Sequence, residues 1–321
     1  MKRRTFLAAL AAVGAAPLVR AQSLPSAPIR IIVGFPPGGG TDVMARVIAQ
    51  QLSARWDHPV VVENKAGAAG VIAADYVAKQ PNDGSALLMT NISNHAIAPS
   101  LYPTLGYDVR RDFTPIMLVG ITPNLLIGNH DQKANTLAEL VAQCKREPGV
   151  VTFGSSGVGA AQHLALEMFK LRASVDALHV PYRGSGPMAS DLVGGQINYS
   201  FETMTSATPL VRGGKVKVLA QTRIKRAKAF PDVPTVAEQG YPGFEASTWY
   251  GLVGPGGMAP GLVERMNADM NEALARPEVA EKLESYGAED GGDSAAKFNA
   301  FIEAELEKWA KVIREANVKP A

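Results

Sequence analysis

Two stretches of this chain follow one plan: a short β-branched run, a turn built from glycine and other small residues, then a helical pattern. The first is VGFPPGGGTDVMARVIAQQL, beginning at Val33, and the second is VTFGSSGVGAAQHLALEMF, beginning at Val151. Each strand–turn–helix unit needs a neighbouring strand to bury its apolar face, so two copies predict two α/β units with mostly parallel strands and right-handed crossovers. A length of 321 residues with 46% hydrophobic content supports two such domains, each with its own core.

The surrounding pattern agrees. Arg30–Gly34 reads as a strand, and Val43, Met44, Val47, Ile48 and Leu52 recur at helical spacing over residues 41–55. Strands follow at 59–63 and 86–90, with a helix at 69–79 between them that stops at the Pro81-Asn82-Asp83-Gly84 turn. A second series starts near residue 123. It reads as strands at 124–128, 150–153, 175–180, 197–201 and 216–221, with helices at 136–146, 162–172 and 188–193. Residues 222–244, rich in proline and charge, read as a crossover. One more strand at 249–253 and a helical tail over 260–318, broken at Pro277 and near Gly291-Gly292, complete the chain.

A glycine turn that opens a helix leaves backbone N–H groups unpaired at the positive end of the helix dipole, which suits a phosphate or a carboxylate. In the first turn the candidates are Phe35, Pro36, Pro37, Gly38, Gly39, Gly40, Thr41 and Asp42; in the second they are Ser155, Ser156, Gly157 and Gly159. Nucleotide motifs fail on inspection. Gly40 stands where a P-loop needs lysine, and Val43 stands where the dinucleotide fingerprint needs glycine. Val158 breaks the nucleophile elbow around Ser156, so both serines read as hydrogen-bonding groups and no catalytic residue is assigned. His163, on the first turn of the second helix, can face the same cleft. Tyr182 and Arg183 follow a strand, where α/β ligand sites lie.

The N-terminus reads as an address. Lys2, Arg3 and Arg4 precede a 13-residue apolar stretch, Phe6 to Leu18, and Val19-Arg20-Ala21 approximates a small-x-small cleavage site. That stretch is too short to cross about 30 Å of hydrocarbon as a helix. Export to the periplasm is therefore expected, with residues 1–21 as the signal; the paired arginines fit a twin-arginine route and Sec fits equally. Removal of 1–21 takes four positive charges and leaves 28 basic against 30 acidic residues. The full-chain charge of +2 becomes −2, which gives no basis for nucleic-acid binding. A single cysteine, Cys144, and five scattered histidines predict no disulfide, no metal site and no cofactor.

PIRIIVGFPPGGGTD (Pro28 to Asp42), VENKAG (Val62 to Gly67), HVPYRG (His179 to Gly184), DLVGGQ (Asp191 to Gln196) and FPDVPTVAE (Phe230 to Glu238) together resemble the Bug family of extracytoplasmic solute receptors, the TctC-type subunit of tripartite tricarboxylate transporters. The resemblance implies an α/β, two-lobed periplasmic binding protein of type II topology. Its lobe 1 is discontinuous, residues 22–121 and 223–321, and lobe 2 is 122–222. It implies a small carboxylic acid held between the two glycine turns, with His163, Tyr182, Arg183 and Asp191 lining or supporting the cleft, and a monomer that meets membrane permease subunits. Where the family has Phe-Asp-Asn, this chain has Phe201-Glu202-Thr203, and a longer acid entering the pocket would shrink it. Two alternatives stay open: a receptor that presents its liganded form to a sensor protein, and an exported serine hydrolase using Ser155 or Ser156 with His163.

Overall fold

The computed structural model describes residues 24–320; the export signal expected at 1–21 lies outside the described residues. Two five-stranded sheets form the centres of two lobes. Sheet one contains β1 (Ile29–Val33), β2 (Val60–Asn64), β3 (Ala86–Asn91), β4 (Phe113–Thr122) and β10 (Thr248–Pro255), in the order β2-β1-β3-β10-β4. Sheet two contains β5 (Asn124–Gly128), β6 (Thr152–Ser155), β7 (Leu178–Pro181), β8 (Tyr199–Thr203) and β9 (Lys217–Gln221), in the order β7-β6-β8-β5-β9. In each sheet three parallel strands are followed by one antiparallel strand, β10 or β5, which arrives from the other lobe. That insertion is the one departure from the parallel sheets expected above.

Alternation in the strands sets the layers. Ile29, Ile31 and Val33 bury against Met44, Ile48 and Leu52 of α1 (Gly40–Trp56) and against Leu262, Met266 and Met270 of a C-terminal helix, Pro260–Leu274. Ile32 and Leu88 point the other way, onto Ala73, Ala74 and Val77 of α2 (Val71–Ala78) and onto the long C-terminal helix Ala295–Glu315 with Trp309. A π-turn, Ser93–Ile97, runs into the short helix α3 (Ala98–Leu101). In lobe 2, Phe153, Tyr199 and Phe201 pack with Phe169 of α5 (Ala161–Ala173) and with Leu140 and Cys144 of α4 (Leu137–Arg146). Cys144 is fully buried, and burial pushes its thiol up to about 11, so it behaves as an apolar filler. The opposite face carries Leu125 and Ile127 against Met188 and Leu192 of α6 (Ser185–Val193) and Met204 and Ala207 of α7 (Met204–Arg212).

Among the described residues, two strand-to-strand passages link the sheets: Pro123, between β4 and β5, and residues 222–247, between β9 and β10. The second passage, grouped with lobe 1 on sequence grounds from residue 223, follows β9 of lobe 2. The N–H groups of Gln221 and Val236 bond to Pro234 and Gln221 carbonyls, and Gln239 Nε2 bonds to Leu219 O. It is also tied to lobe 1, because Arg223 pairs with Glu289 at 2.9 Å and with Asp290.

Candidate ligand-binding site

The two glycine turns sit at equivalent places, each joining the second strand in the order of its sheet, β1 or β6, to the helix that follows. α1 opens at Gly40 and α5 at Ala161, with no side-chain cap at either start. The N–H groups of Gly40, Thr41 and Asp42 in α1, and of Gln162 and His163 in α5, cannot be satisfied within their helices and have no protein acceptor among the described residues. Each turn is instead locked by a side chain four residues beyond a glycine in the left-handed region. Gly38 (φ 83°) donates its N–H to Asp42 Oδ2 at 2.9 Å, and Gly159 (φ 78°) donates its N–H to His163 Nδ1 at 3.2 Å.

These clasp residues face away from the cleft. Asp42 is 2% exposed, and it also accepts from Arg46 through two bonds of 2.9 Å and from Asn64 Nδ2 at 2.8 Å. Burial alone would raise its pKa, but the Arg46, Gly38 and Asn64 donors outweigh that and hold the carboxyl below its ordinary range. His163 is 6% exposed and stacks on His179 at 3.9 Å between ring centroids. Burial first, then His179 and Lys170, push His163 down to about 3, and burial with Lys170 pushes His179 to about 4, so both rings are neutral at pH 7.

Between the turns lies a cavity of about 160 Å³, close to the size of an engineered cavity that holds one benzene. Its walls come from both lobes. Phe35, Pro36, Pro37, Gly39, Gly40 and Thr41 belong to the first turn, with Asn91 from the end of β3 and Ser93 from the π-turn after it; Ser156, Ala161 and Gln162 belong to the second turn, with Ser185, Gly186, Pro187 and Thr203 beyond it. Thr248 and Tyr250 of β10 complete it, and among the described residues no lysine or arginine side chain lines it. Tyr250 is 1% exposed, its hydroxyl stands beside the Thr203 and Thr205 hydroxyls without a well-formed hydrogen bond among the described residues, and burial, partly offset by those two threonines, pushes it up to about 12. A second cavity, about 680 Å³, adjoins the first along Phe35, Pro36 and Ser156 and is lined by Gly157, Tyr182 and Arg183.

The residues expected from sequence therefore separate into three groups. Phe35, Pro36, Pro37, Gly39, Gly40, Thr41 and Ser156 line the inner cavity; Gly157, Tyr182 and Arg183 line the outer one. Gly38, Asp42, Gly159 and His163 lock the turns from behind, and Asp191 accepts the Tyr182 hydroxyl at 2.7 Å. Ser155 Oγ lies 2.6 Å from His179 Nε2, and Ser156 donates to Gln162 Oε1 at 3.0 Å, so neither serine is bonded to His163 as the hydrolase alternative required. Glu202 is fully buried and does not line the cavity; it stands behind the wall and touches Gln162, Ser185 and Thr203. Sequence reading missed Asn91, Ser93, Gln162, Ser185, Thr203, Thr248 and Tyr250. The signal that could have found Gln162 is its position in the second turn, which matches that of Thr41 in the first.

Two lobes joined by paired passages, with a cleft between the glycine turns that follow β1 and β6, define a two-lobed solute-binding protein. The chain matches the family model "Tripartite tricarboxylate transporter family receptor" over residues 44–318, and it belongs to that family. It is 40% identical over 311 residues to protein BugT of Bordetella pertussis, covering 97% of this chain and 95% of that one. Its fold matches that of the R. palustris protein Rpa4515 solved with adipate (TM-score 0.90, 34% identity, 93% of this chain and 100% of that one). MatC of Rhodopseudomonas palustris with bound malate matches with a TM-score of 0.84 at 29% identity, over 90% of this chain and 100% of that one.

Proposed function

We propose that this protein is a periplasmic receptor that captures a small carboxylated solute between its lobes and delivers it to the membrane subunits of a tripartite tricarboxylate-type transporter. One observation carries the reading: the inner cavity is walled by both lobes, is lined by the starts of α1, α5 and α6, and has no cationic side chain among the described residues. An anion there is met by backbone dipoles and neutral polar side chains such as Thr41, Ser93 and Gln162. Fixed dipoles act more strongly once closure removes water, so the carboxylate stabilises the closed arrangement more than the open one. Adipate and malate, the ligands named for two relatives, are carboxylates of suitable size. Arg183, exposed at the outer cavity, supplies positive charge at the mouth and leaves the seat itself neutral.

The test is a thermal-shift panel of C3 to C8 carboxylic acids on the purified mature protein. A cognate acid at 100 times its Kd stabilises by roughly 2.7 kcal/mol. The absence of any shift across the panel, together with native mass spectra that show no bound acid, would sink the reading.

A further inference from the structure

Glu202 Oε1 has four donors around it: Gln162 Nε2 at 3.1 Å, Ser185 Oγ at 3.1 Å, Thr203 N at 2.9 Å and Thr203 Oγ1 at 3.0 Å. An oxygen that takes a backbone N–H must be accepting, so the Ser185 and Thr203 hydroxyls spend their protons on it. The same contact fixes the Gln162 amide with its nitrogen toward Glu202, so Gln162 Oε1 faces Ser156 and can only accept the Ser156 proton. Ser206, 3.2 Å from Thr203 Oγ1, can donate to it without altering this order. Three cavity-lining hydroxyls from lobe 2, on Ser156, Ser185 and Thr203, are thus left with lone pairs only.

The lobe 1 wall has the opposite polarity. Thr41 Oγ1 accepts from Asn91 Nδ2 at 3.0 Å, and Ser93 Oγ accepts from Ala161 N at 3.2 Å, so both hydroxyls keep a proton to give. Asn91 cannot be flipped, because its Oδ1 takes the N–H groups of Ser93 and Asn94. Donors toward the ligand are therefore Thr41, Ser93, the free amide hydrogen of Gln162 and the backbone N–H groups at the helix starts. Acceptors are the three lobe 2 hydroxyl oxygens.

We propose that the cavity selects a solute with one carboxylate and one hydrogen-bond donor, a hydroxyl or an ammonium group, over a solute with two ionised carboxylates. This rests on the carboxylate-receptor reading and narrows it. The carboxylate takes the N–H groups, and the donor faces the Ser156, Ser185 and Thr203 oxygens, which a second carboxylate could meet only lone pair to lone pair. Glu202 is the positioning residue for this preference and does not touch the ligand.

Calorimetry on the mature protein with acids matched in carbon number tests it. The C3 to C6 series compares each ω-hydroxy and ω-amino acid with the α,ω-dicarboxylate and the unsubstituted acid. The donor-bearing member is expected to bind at least about 10-fold more tightly than its dicarboxylate partner. Glu202→Gln retains an acceptor oxygen and keeps the order; Glu202→Met releases the Ser185 and Thr203 protons and brings the pair to within about 3-fold. Dicarboxylates binding as well as or better than their partners in the unmodified protein would overturn this inference and leave the carboxylate reading standing. So would an unchanged preference in folded Glu202→Met. Binding of no acid in any series overturns the carboxylate reading itself, and this inference with it.

Discussion

The two turns solve one geometric problem with different chemistry. In lobe 1 the left-handed Gly38 is clasped by Asp42, an anion tied to Arg46 and Asn64; in lobe 2 the equivalent Gly159 is clasped by His163, a neutral ring stacked on His179. One residue earlier the parallel continues. Thr41 is held by Asn91 at the end of β3, and Gln162 is held by Glu202, one residue from the end of β8, the corresponding third strand. The backbone shape is common to both turns, so it follows from the fold. The polar partners differ, so they set what each lobe offers the ligand and how each turn responds to pH.

Removing the ionic clasp has the largest expected effect. Asp42→Ala leaves the Gly38 N–H without its acceptor, reduces the Asn64 amide to its bond with Phe35 O and Arg46 to its bond with Asn64 Oδ1, at a cost of about 2–3 kcal/mol in unfolding free energy. Urea unfolding measures this. His163→Ala loses one neutral hydrogen bond and the ring stack and is expected to cost less, about 1–2 kcal/mol, although cavity formation adds to it. Equal losses in the two variants would break the distinction between an ionic and a neutral clasp.

Protonation separates the turns next. His163 and His179 have folded pKa values below the ordinary 6.5, so the unfolded chain binds more protons. Their contribution is fully present above about pH 6.5 and is lost as pH falls toward 4, by up to about 2 kcal/mol per ring at pH 5. Asp42 is also lowered, but from 3.8, so its contribution is retained to pH 4 and is lost only below that. Glu167, 3.8 Å from His163 Nε2, and Lys170 also face this pair, and Glu167 limits the loss by partnering a protonated ring. The buried His95 of lobe 1 adds a background loss common to all variants. A His163→Gln variant should therefore lose less stability between pH 7.5 and pH 5 than the unmodified protein, as read by unfolding at both pH values. Identical pH slopes would remove the histidine clasp as the cause.

The turns themselves were legible because glycine and small residues in a strand-to-helix junction have few other uses. Less could be read where an element's identity depends on the other lobe. β4 carries Pro115 and is flanked by charge at its start, so its pattern was not read as a strand; the β10 strand that pairs with it arrives from residues 248–255. α7 contains Pro209 and begins directly after β8, which hid it in the same way. Tyr250 carried no site signal in the sequence, because its hydroxyl meets the cleft only through the antiparallel insertion of β10 beside β3. Glu202 was flagged as a departure from the family pattern, but local sequence gave no reason for its oxygen to collect three wall residues.

The smallest expected effect comes from the asymmetry at the helix starts. All three leading N–H groups of α1 are open, whereas the first of α5, on Ala161, is taken by Ser93 across the cleft at 3.2 Å. That bond links the lobes directly and exists only while they are together. Ser93→Ala removes it and leaves the Ala161 N–H buried beside an apolar methyl, which weakens the closed arrangement by about 1 kcal/mol. On the proposed function, in which the ligand binds that arrangement preferentially, its apparent Kd should rise about 5-fold while the midpoint of unligated thermal unfolding changes little. Ser93→Thr retains an acceptor and should restore affinity if the added methyl fits against the second turn. A Ser93→Ala variant with unchanged affinity would place the lobe contact elsewhere, for example where Gly184 meets Pro36. There, Gly184→Ala would bring a Cβ within 2.8 Å of the proline ring and hold the cleft open by contact alone.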